Sequence, residues 1–382
     1  MFGGEYLLLY GENVFVSEVF QSDSEPAVAP QTQYFKGRGA LSNVNGRFES
    51  TTAERDIDWN PEEESSPKTE FIKDATQSII AYNTSPDVGF NASINAYRGC
   101  EHGCVYCFAR PTHEYLGMSA GLDFESRIMV KENAPELLRK ELSAKKWKPQ
   151  FLAMSGVTDC YQPAERKFQI TRRVLEVLVE FRNPVGIITK NFLVTRDIDI
   201  LQELAKYNCV AVNVSVTTLD GTLTPKLEPR ASLPKARLEA VRKLSEAGIP
   251  VGVLAAPCIP GITDHEMPQI LKAAADNGAK WAGYVMLRLP YGVKDLFEQW
   301  VREHFPDRAE KVLNRVKAMR GGKLYDANWG ERMRGNGIFA DQAEQMFKVA
   351  CKHAGIDPAF RPNLTTEHFR VPRASEAQLS LL

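Results

Sequence analysis

Apolar residues change their spacing along the chain at about residue 93. Residues 1–67 show no sustained periodicity, and they include a stretch rich in Ser, Pro and Ala at 22–33 and the acidic run Glu62–Pro67. After residue 93, short apolar runs alternate with segments of helical periodicity, which is typical of βα units and a parallel sheet. The runs that predict strands are Ser93–Tyr97, Phe151–Ser155, Val185–Thr189, Val210–Val216, Val251–Ala255 and Trp281–Leu287.

Helical periodicity fills the intervals between these runs and continues after the last one. In Ile170–Phe181 the apolar residues recur on one face, and Pro234–Ala247 stops before Gly248, a residue that commonly ends helices. Further predicted helices are Ile198–Lys206, Met267–Asn277, Tyr291–His304, Arg308–Met319 and Ile338–Ala354. Six βα units in succession favour a barrel-like curved sheet, with a doubly wound sheet as the alternative.

The length of 382 residues allows one large α/β domain with extensions. We predict an irregular, flexible N-terminal extension at 1–70, a barrel core at 71–290 and a helical C-terminal extension at 291–382 that packs on the core. Within the first region, Lys36–Ala40 and Gly46–Glu49 carry basic residues. Their composition favours a solvated tail over an arm that lies on the domain.

Composition and charge restrict the class of protein. The formal net charge is −1, so no global field attracts nucleic acid or an anionic membrane. The apolar run Tyr6–Tyr10 is too short to span a bilayer and lacks a basic flank. Seven cysteines, three of them clustered, indicate a reducing compartment. We expect a cytoplasmic monomer without membrane association.

The clustered cysteines, Cys100, Cys104 and Cys107, have the spacing of metal ligands. Structural zinc sites usually take four protein ligands, and no second pair of close-spaced cysteines follows. Ordinary iron–sulfur clusters also take four cysteines, so three thiolates leave one iron open to another molecule. The alternative is an inert zinc site in which His102 or His113 supplies the fourth ligand.

Polar and small residues follow each predicted strand, where barrel enzymes carry their chemistry. This pattern predicts an active-site mouth at the carboxyl ends of the strands. The segments that follow the six strands are Cys100–Cys107, Ser155–Asp159, Thr189–Asn191, Ser215–Thr218, Pro257–Thr263 and Arg288.

The cysteine loop, with Tyr106 directly before its last cysteine, resembles the signature of the radical SAM superfamily. Within it, the segments Tyr97–Arg110, Ser155–Asp159 and Ile188–Asn191 are similar to the spore photoproduct lyase-like proteins. The resemblance covers about residues 80–289 and implies a partial (β/α)6 barrel.

The resemblance also implies two cofactors. A 4Fe–4S cluster on the three cysteines would bind S-adenosylmethionine at its open iron and cleave it reductively to a 5′-deoxyadenosyl radical. That radical would abstract hydrogen from an unidentified substrate, nucleic-acid-related as in a DNA repair lyase, and an external one-electron donor of the flavodoxin or ferredoxin type would be needed.

Family positions suggest contacts for S-adenosylmethionine. The resemblance assigns its amino group to Thr158 and Asp159, its carboxylate to Lys190, its ribose to Ser215, and the region of the cluster and adenine to Tyr106 and Phe108. Taken singly, each has an ordinary alternative, since Thr158 and Asp159 could cap a helix, Ser215 could end a strand and Lys190 could lie on the surface.

This chain departs from the lyase that it resembles at the residue that returns hydrogen to the product radical. The lyase has a cysteine where this chain has Gly156, and a tyrosine where it has Phe108. Cys160 could supply the thiol instead, and its alternative role is that of a small residue in a turn. We take Cys160 and Tyr106 as candidate catalytic residues. Arg230 and Arg288 could bind a substrate anion or form structural ion pairs.

The functions that compete with an enzyme belong to other classes of protein. A non-catalytic iron–sulfur redox sensor or nucleic-acid-binding module would need the cluster but no cofactor pocket, and a zinc-stabilised scaffold would need neither. The set formed by Thr158, Asp159, Lys190 and Ser215 favours the enzyme.

Overall fold

The computed structural model describes residues 35–49 and 66–372 of the chain. The strands in these residues are β1 (Glu70–Lys73), β2 (Ile80–Tyr82), β3 (Ala92–Ile94), β4 (Tyr97–Arg98), β5 (Arg127–Val130), β6 (Leu152–Met154), β7 (Val185–Thr189), β8 (Val210–Ser215), β9 (Val251–Cys258) and β10 (Ala282–Met286). The helices are α1 (Leu122–Ser126), α2 (Ala134–Leu142), α3 (Glu165–Phe168), α4 (Ile170–Phe181), α5 (Ile198–Ala205), α6 (Thr224–Leu227), α7 (Pro234–Glu246), α8 (Met267–Asp276), α9 (Val293–His304), α10 (Ala309–Ala318), α11 (Glu331–Arg334) and α12 (Ile338–Ala354).

The main sheet has the order β10-β9-β8-β7-β6-β3-β2. All its pairs are parallel except that of β2 with β3, which is antiparallel at the edge. The six parallel strands keep their chain order across the sheet, whereas a doubly wound sheet reverses direction at a switch point. This order confirms the barrel-like prediction, with a sheet that remains open between β10 and β2.

One apolar face of the main sheet packs against the helices. Val212, Val214 and Val253 share this face, since Val214 and Val253 are register partners, and all three are fully buried, as expected for parallel strands covered by helices. The buried face of α4 carries Val174 and Leu178, which pack into the same core. No helix among the described residues is long and apolar enough to cross a bilayer.

All six predicted strands are present, but the first one is divided. β3 ends at Ile94, and Tyr97 and Arg98 pair instead with β5 in a second sheet of order β1-β5-β4. The strands β1, β2 and β5, which have three or four residues each, were not predicted from the sequence. Such short runs carry too little periodicity to be detected. The helix α2 was not predicted either.

The basic segment near the N-terminus packs on the domain, so the prediction of a solvated tail is wrong for residues 35–41. Phe35, Ala40 and Leu41 are buried, and Arg38 donates to the backbone carbonyl of Glu125 at 2.5 Å. Arg38 also donates to the carbonyl of Pro67 at 3.2 Å through its Nε. Residues 1–34 and 50–65 of the predicted extension, and 373–382 of the tail, lie outside the described residues.

The C-terminal helices pack on two parts of the core. Trp300 of α9 is fully buried in a cluster that includes Val105 of the cysteine loop, and its indole donates to the carbonyl of Lys226 at 2.9 Å. Phe347 of α12 packs against Tyr284 of β10, with 4.8 Å between ring centroids. Helices after the sixth strand therefore support the cysteine loop directly.

A buried ion pair fixes the cysteine loop to the domain. Arg110 lies just after the loop and donates to the carbonyls of Cys104 at 2.9 Å and Gly103 at 3.1 Å. It pairs with Glu125 at 3.0 Å, and neither side chain is exposed. The carboxylate of Glu125 also accepts the N–H groups of Gly39 and Ala40. One guanidinium thus satisfies loop carbonyls that no strand or helix pairs.

We expect Arg110→Ala to lower the free energy of unfolding by about 3–5 kcal/mol, because the Glu125 carboxylate would remain buried without its partner. Urea denaturation of the apoprotein measures this difference. Arg139 provides the matched control, since it pairs with Glu180 at 2.6 Å on the surface. Arg139→Ala should cost less than about 1 kcal/mol, and equal losses in the two variants would contradict the role of Arg110.

Candidate functional site

The cysteine loop follows β4 and turns sharply at two glycines. Gly99 and Gly103 have positive φ angles of 80° and 66°. A Cβ atom at Gly99 would lie 2.7 Å from the carbonyl oxygen of Phe124, and one at Gly103 would lie 2.3 Å from Glu125 Oε2. Only glycine fits both the backbone angles and these close approaches, so the loop conformation depends on these two residues.

The three thiols of this loop lie in an environment that disfavours free thiolates. Cys100 and Cys104 are buried and Cys107 is half-buried. Burial raises the pKa of all three thiols, although Lys190 acts in the opposite direction on Cys104 and Cys107. Metal coordination deprotonates a thiol outright, so this donor set suits a positively charged metal centre better than free cysteines.

The geometry does not suit a single zinc ion. In the part of the chain that the structure describes, no three His, Cys, Asp or Glu side chains converge closely enough to hold one metal ion. His102 has both ring nitrogens in contact with other residues, Nδ1 at 3.3 Å from Asp159 and Nε2 at 3.1 Å from Asn191. His113 Nε2 contacts the carbonyl of Arg127 at 2.9 Å. A cluster in which each thiolate binds a different iron needs no such convergence.

Thr158 lies directly against the cysteine loop. Its hydroxyl donates to the carbonyl of Gly99 at 2.6 Å and accepts the Gln162 amide at 2.9 Å. Gln162 in turn accepts the N–H of Glu101 at 2.9 Å. Thr158 therefore connects the exit of β6 to the start of the cysteine loop, with a lone pair left for a further donor.

The carboxylate of Asp159 is fully engaged with other exits of the sheet. Oδ1 accepts the N–H of Tyr161 at 2.9 Å and the hydroxyl of Thr189 at 2.8 Å. Oδ2 accepts the N–H of Lys190 at 2.8 Å and lies 3.3 Å from His102 Nδ1. Burial alone would raise the pKa of Asp159, but His102 and the backbone donors hold it below its usual range. The structure places Asp159 where it positions the loop and β7.

Lys190 and Ser215 lie side by side at the ends of β7 and β8. Their preceding residues, Thr189 and Val214, are register partners. The Lys190 ammonium lies 6.0 Å from the centroid of the Tyr106 ring, and no described residue forms a hydrogen bond or ion pair with it. Ser215 is buried, and its hydroxyl likewise has no partner among the described side chains. A cation and a hydroxyl are thus available beside the cysteine loop.

A buried network behind Tyr106 was not predicted from the sequence. The Tyr106 hydroxyl donates to Glu228, whose other oxygen accepts from Arg237. Thr217 donates to Glu228 at 2.6 Å. Burial alone would raise the pKa of Glu228, but Arg237 and Lys190 lower it to about 2, so Glu228 is ionised. Burial, reinforced by Glu228, raises the pKa of Tyr106, so its phenol serves as a neutral donor inside this network.

The structure does not place Cys160 at the mouth. Its side chain belongs to the main apolar core and is only 1% exposed, and burial raises the pKa of its thiol. Gly156, in contrast, has room for a side chain, because a Cβ atom there would lie 3.6 Å from the nearest atoms, those of Ser93. Position 156 therefore has space for a side chain but carries no thiol.

The two candidate arginines have different surroundings. Arg230 pairs with Glu101 at 2.6 Å and donates to Thr69 at 3.0 Å, which makes it a structural ion pair. Arg288 lies over the ring of Phe108 at 4.9 Å, and its buried Nε has no hydrogen-bond partner among the described residues. The ring of Phe108 itself is 47% exposed, so this arginine and this ring form part of the open mouth.

Comparison with solved structures supports the fold. A mutant of spore photoproduct lyase with bound AdoMet and dinucleoside spore photoproduct matches with a TM-score of 0.55 and 16% identity, over 77% of this chain and 82% of that one. A structure of the same enzyme complexed with dinucleoside spore photoproduct gives a TM-score of 0.55 at 15% identity, with the same coverage. At this identity the likeness concerns the fold alone.

Two curated relatives each match more than half of the chain. An uncharacterised protein of Mycobacterium tuberculosis is 34% identical over 248 residues, which are 64% of this chain and 72% of the relative. An uncharacterised protein of Methanocaldococcus jannaschii is 32% identical over 200 residues, 52% of this chain and 71% of the relative.

A family profile described as the radical SAM superfamily matches residues 94–274. This range contains the three cysteines and the exits of β6, β7, β8 and β9. Members of this family use a 4Fe–4S cluster and S-adenosylmethionine, and the donor set of the cysteine loop fits that cluster. The chain belongs to the radical SAM superfamily.

Proposed function

We propose that this protein is an enzyme that cleaves S-adenosylmethionine reductively and abstracts hydrogen from a nucleic-acid-related substrate. The cleavage of S-adenosylmethionine is supported by two groups beside the cysteine loop that have no partner among the described residues. The ammonium of Lys190 and the hydroxyl of Ser215 lie at adjacent strand ends, where a molecule with a carboxylate and a ribose would meet both. A redox sensor would have no use for this pair.

When bound, the cluster and S-adenosylmethionine supply one-electron cleavage and a 5′-deoxyadenosyl radical. Cys100, Cys104 and Cys107 would hold the cluster and leave one iron without a protein ligand. Lys190 would bind the carboxylate of the cofactor by charge. Ser215 would hydrogen-bond the ribose, since a hydroxyl can both donate and accept.

Thr158 and Asp159 differ in their capacity to accept the amino group of S-adenosylmethionine. Asp159 already accepts or contacts four groups, so we assign it to the positioning of His102 and the backbone of Lys190. Thr158 keeps a free lone pair and lies against Gly99, so it remains the candidate acceptor for the amino group. Cys160, in the core, receives no catalytic role, and Tyr106 supports the site through Glu228.

Aromatic and arginine side chains at the mouth support the choice of substrate. The guanidinium of Arg288 contacts the ring of Phe108 and lies 3.3 Å from the sulfur of Met333 in α11. In the same helix, Arg332 pairs with Asp87 at 2.5 Å and lies 4.2 Å from the ring centroid of Trp329, which is 56% exposed. Exposed rings supported by guanidinium groups are typical of surfaces that stack bases. Spore photoproduct lyase, which shares the fold, was solved with a dinucleoside lesion.

Anaerobic reconstitution with iron and sulfide tests the chemistry. With dithionite and S-adenosylmethionine, the reconstituted protein should produce 5′-deoxyadenosine, measured by liquid chromatography. Chelation of the iron before the assay should abolish the product. The control is Cys104→Ala, which removes one of the thiolate ligands. If the wild-type protein forms no more 5′-deoxyadenosine than this variant, the proposed cleavage activity is refuted.

Lys190→Ala should weaken S-adenosylmethionine binding by about 1.5–3 kcal/mol, roughly tenfold to hundredfold in Kd, because the carboxylate would lose a charged partner. Calorimetric titration of the reconstituted protein measures the change. Lys190→Arg keeps the charge and should retain most of the affinity. Lys272, an exposed lysine that pairs with Asp276 at 2.8 Å, gives a matched control, and a similar loss in Lys272→Ala would refute the assignment.

Phe108→Ala and Trp329→Ala should each weaken the binding of a single-stranded oligonucleotide by about 1–3 kcal/mol, since each removes one stacking surface. Fluorescence anisotropy measures the affinity. Phe360 is the control, since it is 43% exposed and packs beside Trp281. Trp281 directly precedes β10, so both rings lie at the end of the strand opposite to the mouth. If Phe360→Ala has the same effect, or if neither mouth variant changes the affinity, the nucleic-acid assignment fails.

A further inference from the structure

A basic cleft lies beside the cysteine loop, outside the strand exits. Its volume is about 570 Å³, and its charged lining residues are Lys36, Arg38, Lys68, Lys167, Arg230 and the single acid Glu101. None of the residues assigned above to the cluster or to S-adenosylmethionine lines it. The cleft is therefore a separate surface from the mouth.

Among the residues that the structure describes, no acidic side chain neutralises the three lysines of this cleft. Glu101 is paired with Arg230 at 2.6 Å. Lys36, Lys68 and Lys167 are exposed, and within residues 35–49 and 66–372 none of the three forms an ion pair. Lys167 lies 5.0 Å from the ring centroids of Phe71 and Phe168, a contact that leaves its charge in place. Three lysines thus present their charge to solvent.

The floor of the cleft is part of the cysteine loop. Glu101 follows Cys100 directly, and its side chain is only 2% exposed. The backbone N–H of Arg230 donates to the carbonyl of His102 at 3.3 Å. A macromolecule seated in the cleft would therefore rest on the outer side of the loop that carries the predicted cluster ligands.

We propose that the basic cleft is the docking surface for an acidic one-electron carrier protein of the flavodoxin or ferredoxin class. This inference rests on the proposed function, which requires an external electron donor. In the step, one electron passes from the reduced carrier to the oxidised cluster on the cysteine loop. The carrier is oxidised, the cluster is reduced, and no bond is made or broken.

The chemistry of the lining favours an acidic protein over other anions. The two arginines are already bonded to the protein, Arg38 to Pro67 and Glu125 and Arg230 to Glu101, so a small anion would find no preformed guanidinium. The free charges are flexible lysines on an open rim, which suit a broad complementary surface. Nucleic acid would also need exposed rings, whereas the aromatic residue of the cleft lining, Phe71, is half-buried and its ring centroid lies 5.0 Å from the Lys167 ammonium.

A charge-reversal variant tests this surface. In Lys36→Glu/Lys68→Glu/Lys167→Glu, the Kd for a bacterial flavodoxin or a ferredoxin should rise at least about tenfold at low ionic strength, and most of the salt dependence should disappear. Titration of the apoprotein measures binding without any turnover. The control Lys145→Glu/Lys146→Glu/Lys148→Glu changes the same charge at three exposed lysines before β6, away from the strand exits, and should bind like the wild type.

Stopped-flow kinetics of the reconstituted protein completes the test. Oxidation of the reduced carrier should slow in the cleft variant at least about tenfold, whereas reduction by dithionite and the cleavage it supports should be unchanged. Failure of dithionite-driven cleavage in the wild type would refute the proposed function, while carrier binding to the apoprotein would still report on the cleft.

Three results would overturn the docking proposal. The first is that neither carrier binds the wild-type protein at low salt. The second is that the cleft and control variants lose affinity equally. The third is that no carrier binds, whereas a single-stranded oligothymidylate binds the wild type and loses affinity in the cleft variant. The cleft would then be a nucleic-acid surface.

Discussion

The carboxylate of Asp159, at the exit of β6, connects two other parts of the site that are distant in sequence, the cysteine loop and the end of β7. It contacts His102 of the cysteine loop, accepts the Thr189 hydroxyl at the end of β7, and accepts the backbone N–H of Lys190. A loop without strand or helix pairing has no hydrogen-bond ladder to fix it, so a buried ion with several partners takes that role. Because an unpaired buried carboxylate is costly, this arrangement favours a single position of the loop relative to β7.

Buried carboxylates stabilise the rest of the loop in the same way. Glu125 holds it from the side of α1 through Arg110, and Glu228 holds it from the side of α7 through Tyr106 and Arg237. Each carboxylate is neutralised by a cation within the protein. Lys190 is different, since its ammonium lies among these groups without an ion pair to a described residue. The site therefore keeps one positive charge available for an incoming anion.

The sequence predicted the six parallel strands of the main sheet and the helices that follow β6 to β10 because burial imposes a period that can be read along the chain. It predicted the strand exits as the site for the same reason, since parallel strands end at one edge. It could not predict the buried hydrogen bonds that surround the cysteine loop, because Glu125 and Arg38 are 87 positions apart and Tyr106 and Glu228 are 122 apart. No local pattern indicates such pairs.

Cys160 shows a different limit of sequence reasoning. It follows Asp159 directly, yet its thiol lies in the core while the carboxylate faces the exits. Ser155, just upstream, has a positive φ of 84°, a conformation that residues other than glycine rarely adopt, and its hydroxyl accepts the N–H of Cys160 at 3.0 Å. This turn decides which side chains face the mouth, and proximity in sequence does not reveal it.

Net charge also hides a feature that the structure separates in space. The total of −1 excludes a global field, but the cations near the cysteine loop lie on two different sides of it. Lys190 and Arg288 lie at the mouth, and Lys36, Lys68 and Lys167 lie around the cleft with Glu101. Under the two proposals above, an electron would reach the cysteine loop from the cleft and would be used at the mouth. This separation would keep a bulky carrier away from a radical that must not meet solvent.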